Sequence, residues 1–236
     1  MQHDRKTSVP VITIDGPSGV GKGTISGLLA SRLGWQLLDS GALYRLLALA
    51  AVSQQVALDD ESALFRLAQE LDCEFLHRDG NACILLYGRE VTTEIRSETC
   101  GNNASRIAAL IKVREALLAW QRVFRKPPGL VADGRDMGTK IFPDAELKIF
   151  LTASAYERAE RRHKQLKAQG TDVNLASLLT EINERDQRDR ERTISPLGPA
   201  ADAVIIDTTK LDIEAVLDCV TNVVTVRGIG DKRVAI

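Results

Sequence analysis

Histidine and cysteine are scarce in this chain. Its three histidines, His3, His77 and His163, and four cysteines, Cys73, Cys83, Cys100 and Cys219, stand far apart and form no CxxC pair. That spacing speaks against a zinc site, a disulfide framework and a mechanism built on His or Cys, so no metal ligand is assigned. An excess of positive charge is missing too: 31 Lys+Arg face 32 Asp+Glu, for a net charge of -1. A protein that holds a nucleic acid polymer by neutralising many phosphates needs a cationic surplus, so no such partner is expected. Basic clusters around a small anion remain open. No stretch approaches the roughly 18 apolar residues of a membrane span, and the polar opening Met1 to Ser8 lacks a signal-peptide core, so no membrane partner and a cytoplasmic location are expected.

What is present is a chain of 236 residues, 44% hydrophobic and 27% charged, which fits one globular domain with a small insert. Val9 to Ile14 reads as a short buried strand that runs into the glycine-rich turn Asp15-Gly16-Pro17-Ser18-Gly19. From Lys22 to Leu33 apolar residues recur at three- and four-residue steps, which predicts a helix capped by Gly34. Trp35 to Leu38 reads as a second strand, followed by a helix to about Val52. Gly129 to Ala132, Leu147 to Leu151 and Ala203 to Ile206 are further buried strands separated by helical patterns. The expectation is an α/β fold with a parallel central sheet covered by helices on both faces. From Asp72 to about Arg96 the rhythm breaks: Cys73 to Leu76, a turn at Arg78-Asp79-Gly80-Asn81, Ala82 to Tyr87 and Gly88 to Val91 predict a small antiparallel β insert. The residues after about Val226 read as a loosely held tail.

Gly16-Pro17-Ser18-Gly19-Val20-Gly21-Lys22-Gly23-Thr24 matches G-x-x-x-x-G-K, with Gly23 where Ser or Thr is usual and the hydroxyl one place later at Thr24. The glycines let successive N–H groups face a phosphate, the following helix adds its positive end, and Lys22 brings a mobile cation to the outer phosphates. These nine residues are the candidate ATP site, and Thr24 is placed to orient Mg2+ or its water. Asp15, just before the loop, reads equally as a catalytic, an orienting or a capping residue.

The loop with its downstream arginines resembles the nucleoside monophosphate kinases. Together with Leu38-Asp39-Ser40-Gly41-Ala42-Leu43-Tyr44-Arg45, Asp133-Gly134-Arg135-Asp136-Met137-Gly138 and Glu184-Arg185-Asp186-Gln187-Arg188-Asp189, it is similar to the bacterial cytidylate kinases from about Val9 to Asp207. The resemblance implies transfer of the terminal phosphoryl group of ATP to CMP or dCMP, with Mg2+. It also implies a P-loop kinase core of residues 1–71 and 106–236, a helical lid at about 157–193 and an inserted acceptor-binding subdomain at 72–105. The expected working unit is a monomer, though the sequence itself is silent on oligomeric state. The nucleophile would be a phosphate oxygen of CMP, so cations rather than a Ser, Cys or His triad carry the work.

By the same resemblance Ser40 lies at the cytosine, Tyr44 and Arg45 line the nucleotide, Arg135 meets the phosphates and Asp136 the base. Ser105 and Arg114 go to the sugar and base, Asp189 and Arg185 to the ribose hydroxyls, and Arg192 to the base or phosphate. Arg158 begins the lid over ATP, and Lys22, Arg135, Arg162 and Arg192 form the catalytic set. Read without the resemblance, Ser40 is an ordinary helix N-cap, Asp133 to Asp136 a polar turn, Arg114 a solvated helix residue, and Arg185, Asp189 and Arg192 one charged helix face. A kinase for another small acceptor, such as another nucleoside monophosphate, shikimate or dephospho-coenzyme A, and a nucleotide-driven switch ATPase are the competing readings.

Overall fold

The computed structural model describes residues 9–78, 81–168 and 170–230. The opening Met1 to Ser8, the tip of the turn at Asp79-Gly80 and the end of the tail from 231 lie outside them. Five strands, β1 (Val11–Asp15), β2 (Gln36–Asp39), β6 (Leu130–Gly134), β7 (Leu147–Thr152) and β8 (Val204–Asp207), form one sheet in the order β2-β6-β1-β7-β8. Every neighbouring pair is parallel. β1 and β6 are buried along their whole length, which is why they read as unbroken apolar runs rather than as alternating ones.

The helices are α1 (Lys22–Leu33), α2 (Ser40–Ser53), α3 (Glu61–Gln69), α4 (Glu98–Ile107), α5 (Ile111–Val123), α6 (Ala155–Ala168), α7 (Leu175–Glu191) and α8 (Ile213–Val226). α1 matches the expected span, and Gly34 ends it in the left-handed conformation with its amide on Ala30 O and Ser31 O. Ile25 and Leu29 of α1 and Val216, Val220 and Val224 of α8 cover one face of the sheet through Ile12, Ile14, Ile149 and Leu151. On the other face Leu38, Leu43, Leu130 and Ala132 pack with Met137, Ile141 and Phe142 from a single π-helical turn, Met137–Ile141.

The expected insert is β3 (Cys73–Arg78), β4 (Asn81–Leu86) and the short β5 (Arg89–Glu90), an antiparallel three-stranded sheet. Its apolar side chains Ile84 and Leu86 share one core with Leu46, Leu47 and Ala50 of α2, Leu64 and Leu67 of α3, and Ile107, Val113 and Leu117 of α4 and α5. α6 and α7 pack on each other through Ala159, Leu166 and Leu178. Two registers, Asp15 beside Gly134 and Asp39 beside Asp133, bring the carboxyl ends of β1, β2 and β6 to one edge of the sheet. In open α/β sheets that edge is where ligands bind.

Candidate active site

The phosphate loop leaves β1 through Gly16, whose φ is +151° and whose missing Cβ would stand 2.2 Å from Leu151 O on β7. No other residue clears that carbonyl. Gly21, at φ 93°, forms the N-cap of α1 and offers no side-chain acceptor, so the first amides of the helix stay free for an anion. Lys22 folds back over the loop and donates to Pro17 O at 2.8 Å. Burial and the nearby Arg135 weaken its hold on its proton, while Asp133 opposes them.

Asp133, at the end of β6, is also buried, and its carboxyl is pushed up by burial against the pull of Lys22. Its Oδ2 would stand 3.5 Å from a Cβ on Gly23. Asp15 accepts from the backbone N–H groups of Met137 and Gly138 at 2.9 and 2.8 Å, which ties the residue before the phosphate loop to the residues after Asp136. Burial, aided by Asp136 and Asp133, raises its carboxyl to about 7 despite those two bonds. Of the open readings for Asp15, the geometry fits the orienting one.

Beyond the loop three groups of side chains meet. Asp189 of α7 is the hub of the first: it accepts from Ser105 Oγ at 2.9 Å and pairs with Arg192 at 2.9 Å and Arg135 at 3.2 Å. Burial opposes its ionisation, but Arg135, Arg192, Arg185 and the Ser105 hydrogen bond outweigh it and hold the carboxyl below its usual value. In the second, Arg114 of α5 forms a buried ion pair with Asp136, donates to Ala108 O at 3.2 Å, and lies 5.8 Å from the centre of the Tyr44 ring. Burial carries the Tyr44 phenol up to about 12, so it is neutral.

The third group is cationic. Arg45 of α2 donates to Ile95 O and Ser97 O at 2.5 and 3.1 Å. Arg185 of α7 stands beside it with its Nε buried and unpaired. Burial, Arg135 and Arg45 lower the Arg185 guanidinium to about 9, with Asp189 opposing. Cations that crowd one another like this describe a site for an anion.

Ser40 is buried but does not cap α2: the cap is Asp39, whose Oδ1 accepts from Ala42 N at 2.9 Å. The Ser40 hydroxyl instead faces the end of β6, 2.7 Å from where a Cβ on Gly134 would stand. Arg158 and Arg162, assigned above to ATP and catalysis, also have protein partners, as Arg135 and Arg192 do. Arg158, 2% exposed, donates to Ala153 O at 3.2 Å and to Ser18 O of the phosphate loop at 3.0 Å, and makes a two-point pair with Asp186 at 3.1 and 2.5 Å. Arg162 reaches Glu98 at 2.5 Å and Arg96 O at 3.1 Å across the start of α4. Arg188 joins Asn102 of the same helix at 3.1 Å. α6 and α7 therefore touch the loop with one residue and α4 with others. Asp186 and Glu98 carry no role in the sequence reading, since their partners Arg158 and Arg162 lie 28 and 64 positions away, and the role of Asp15 stays open there because its partners lie 122 and 123 positions away.

A parallel sheet in the order found here, with a glycine loop and lysine after its central strand, defines the P-loop class of α/β proteins. The family model for cytidylate kinase matches residues 12–226. Among curated proteins, a cytidylate kinase of Stutzerimonas stutzeri (strain A1501) is 64% identical over 211 residues, covering 89% of this chain and 92% of that protein. One of Pseudomonas aeruginosa (strain UCBPP-PA14) is 60% identical over 215 residues, covering 90% and 94%. A third, of Yersinia enterocolitica serotype O:8 / biotype 1B (strain NCTC 13174 / 8081), is 57% identical over 211 residues, covering 89% and 92%. The chain belongs to the cytidylate kinase family.

Proposed function

We propose that the protein transfers the terminal phosphoryl group of ATP to CMP or dCMP, giving ADP and CDP or dCDP. The observation that supports this most is the meeting, at one sheet edge, of a phosphate loop, a second cationic site at Arg45, Arg135 and Arg185, and the buried Arg114–Asp136 pair. A phosphate oxygen of CMP attacks the γ-phosphorus, the bond from that phosphorus to the β–γ bridging oxygen breaks, and ADP leaves with the electron pair. No side chain has to take a proton, because the acceptor phosphate is largely ionised near neutral pH.

Each group of side chains has one task. Lys22 exchanges Pro17 O for the outer phosphates of ATP, and the free amides of Gly21 and α1 hold the phosphate chain. Arg45, Arg135 and Arg185 hold the phosphate of CMP; Arg185 belongs with them rather than with the ribose, since guanidinium groups crowd it. Asp189, aligned by Ser105, Arg135 and Arg192, accepts from the ribose hydroxyls. Asp136 accepts from the cytosine amino group, Arg114 donates to N3 or O2, and the Ser40 hydroxyl stands at the same end of β6. Arg158 clamps α6 and α7, as the lid, onto the phosphate loop, and Arg162 joins that lid to α4. Closing over the two nucleotides excludes water and suppresses ATP hydrolysis.

Among the described residues no set of three His, Cys, Asp or Glu side chains could cage a metal. That suits Mg2+, which is held mainly by phosphate oxygens and water with one or two protein ligands. Thr24 and Asp133 are the residues that would face it, and when bound it neutralises charge on the transferred phosphoryl group. We take a monomer as the working unit, and four free cysteines suit the reducing cytoplasm.

Product analysis with ATP, Mg2+ and a panel of CMP, dCMP, UMP and AMP tests the proposal. CDP and dCDP should form with one ADP each, UMP should react poorly and AMP worse. Preferred turnover of AMP, or ADP release that no acceptor stimulates, would overturn it in favour of another kinase or a switch ATPase.

A further inference from the structure

Gly101 lies in the first turns of α4 with ordinary helical backbone, where glycine is the least favourable residue after proline. Its conformation does not call for glycine, but the space beside it does. A Cβ there would stand 2.8 Å from Arg45 Nη2, 3.1 Å from Arg45 Cζ and 3.1 Å from Arg185 Nη1. Arg45 comes from α2 and Arg185 from α7, so cations from two elements converge over the bare backbone of a third. Among the described residues Arg185 has no carboxylate within ion-pair distance, and Arg45 and Arg135 both depress its proton affinity. An anion lying between these guanidinium groups would relieve that repulsion.

We infer that Gly101 is a positioning residue for the acceptor phosphate: the missing β-carbon sets where the guanidinium groups of Arg45 and Arg185 lie. The inference rests on the reading of that cationic site as the one for the phosphate of CMP. The atoms that a methyl group would meet are the far ends of flexible side chains, not backbone, so alanine is accommodated by moving the two cations. A shift on the order of 1 Å in a positioning group can cost up to about a hundredfold in rate. The helix itself gains from the substitution. Stability and activity should therefore move in opposite directions.

Gly27 of α1 supplies the control, since a Cβ there would meet nothing within 4 Å. Thermal melting and kcat/KM for CMP, with KM for ATP, would be measured in the wild type, Gly101→Ala, Gly27→Ala, Arg185→Ala and the Gly101→Ala/Arg185→Ala double variant. Both alanine-for-glycine variants should melt at the wild-type temperature or about 2–4 °C above it. Of these two, only Gly101→Ala should lose kcat/KM for CMP, by about 10- to 100-fold, with KM for ATP within about twofold. That loss should shrink in the Arg185→Ala background. Wild-type kcat/KM in Gly101→Ala, a lowered melting temperature, or a loss that multiplies in full with Arg185→Ala would each overturn the inference. A wild type that does not use CMP would instead overturn the functional reading beneath it.

Discussion

Asp15 carries a charge at a cost that the pH scale exposes. Its carboxyl titrates near 7 in the fold against 3.8 outside it. Between those values the native state binds more protons than the unfolded chain, so this group's contribution to stability falls as pH rises through the window. Asp15→Asn keeps the shape and one acceptor for Met137 and Gly138 but has no proton to lose. Its melting temperature minus that of wild type should rise from pH 5 to pH 8, and a difference that stays flat or falls would contradict the assignment. At the loop, Lys22→Ala should leave the fold intact and lower kcat by a factor of about 100 to 1000, the usual worth of one cation at developing charge. Near wild-type turnover would remove the loop from the ATP site. Asp189→Asn keeps the Ser105 and arginine contacts in outline but weakens the acceptor for ribose hydroxyls. KM for CMP should rise, the preference between CMP and dCMP should change, and KM for ATP should hold; equal losses for all three would point to a role in lid packing instead. Local sequence marked Lys22, because its register in the loop is a local property. Asp15 stayed ambiguous there because its partners, Met137 and Gly138, are brought to it only by the register of β1 against β6.

The elements were legible where one periodicity dominated. α1, the five sheet strands and the β3–β4 pair follow directly from apolar spacing and turn residues, with ends moved by a residue or two. Ser40 was ambiguous because Asp39 and Ser40 are both good caps; the register of β2 beside Asp133 decides for Asp39 and leaves the hydroxyl free. Arg158 was legible only as part of a basic helix. Burial at the junction of α6, α7 and the phosphate loop, paired with Asp186, follows from packing over a separation of 28 residues that no spacing rule covers. Removing one partner of a buried pair strands the other, at about 3–5 kcal/mol. Arg158→Ala should lower the unfolding free energy in urea by that amount and speed hydrogen exchange in α6 and α7 before the central sheet. A loss under about 1 kcal/mol would show that the clamp does not hold the lid helices to the loop.

Across the whole molecule, three cores meet at one sheet edge: the two faces of the parallel sheet and the cluster that joins α2 to α5 with the β insert. In the proposed assignment the donor side hangs on β1 and α1, and the acceptor side on α2, α4, α5 and the end of β6. Asp15 and the α6–α7 pair link the two sides. Under the proposed assignment, selectivity for cytosine is the property that needs all of this at once, since it would depend on a buried Asp136 and Arg114 from different elements held in register with the phosphates. Uracil would set a carbonyl against Asp136 and, where Arg114 donates to N3, an N–H against Arg114, each mismatch worth about 1–3 kcal/mol in a dry pocket. Asp136→Asn lets the side-chain amide rotate to donate. The most direct test is kcat/KM for CMP and for UMP in the wild type and in Asp136→Asn. The expected result is a strong wild-type preference for CMP that narrows in the variant, chiefly because CMP becomes a poorer substrate. An unchanged preference in a folded Asp136→Asn protein would contradict the reading of the base by this carboxylate.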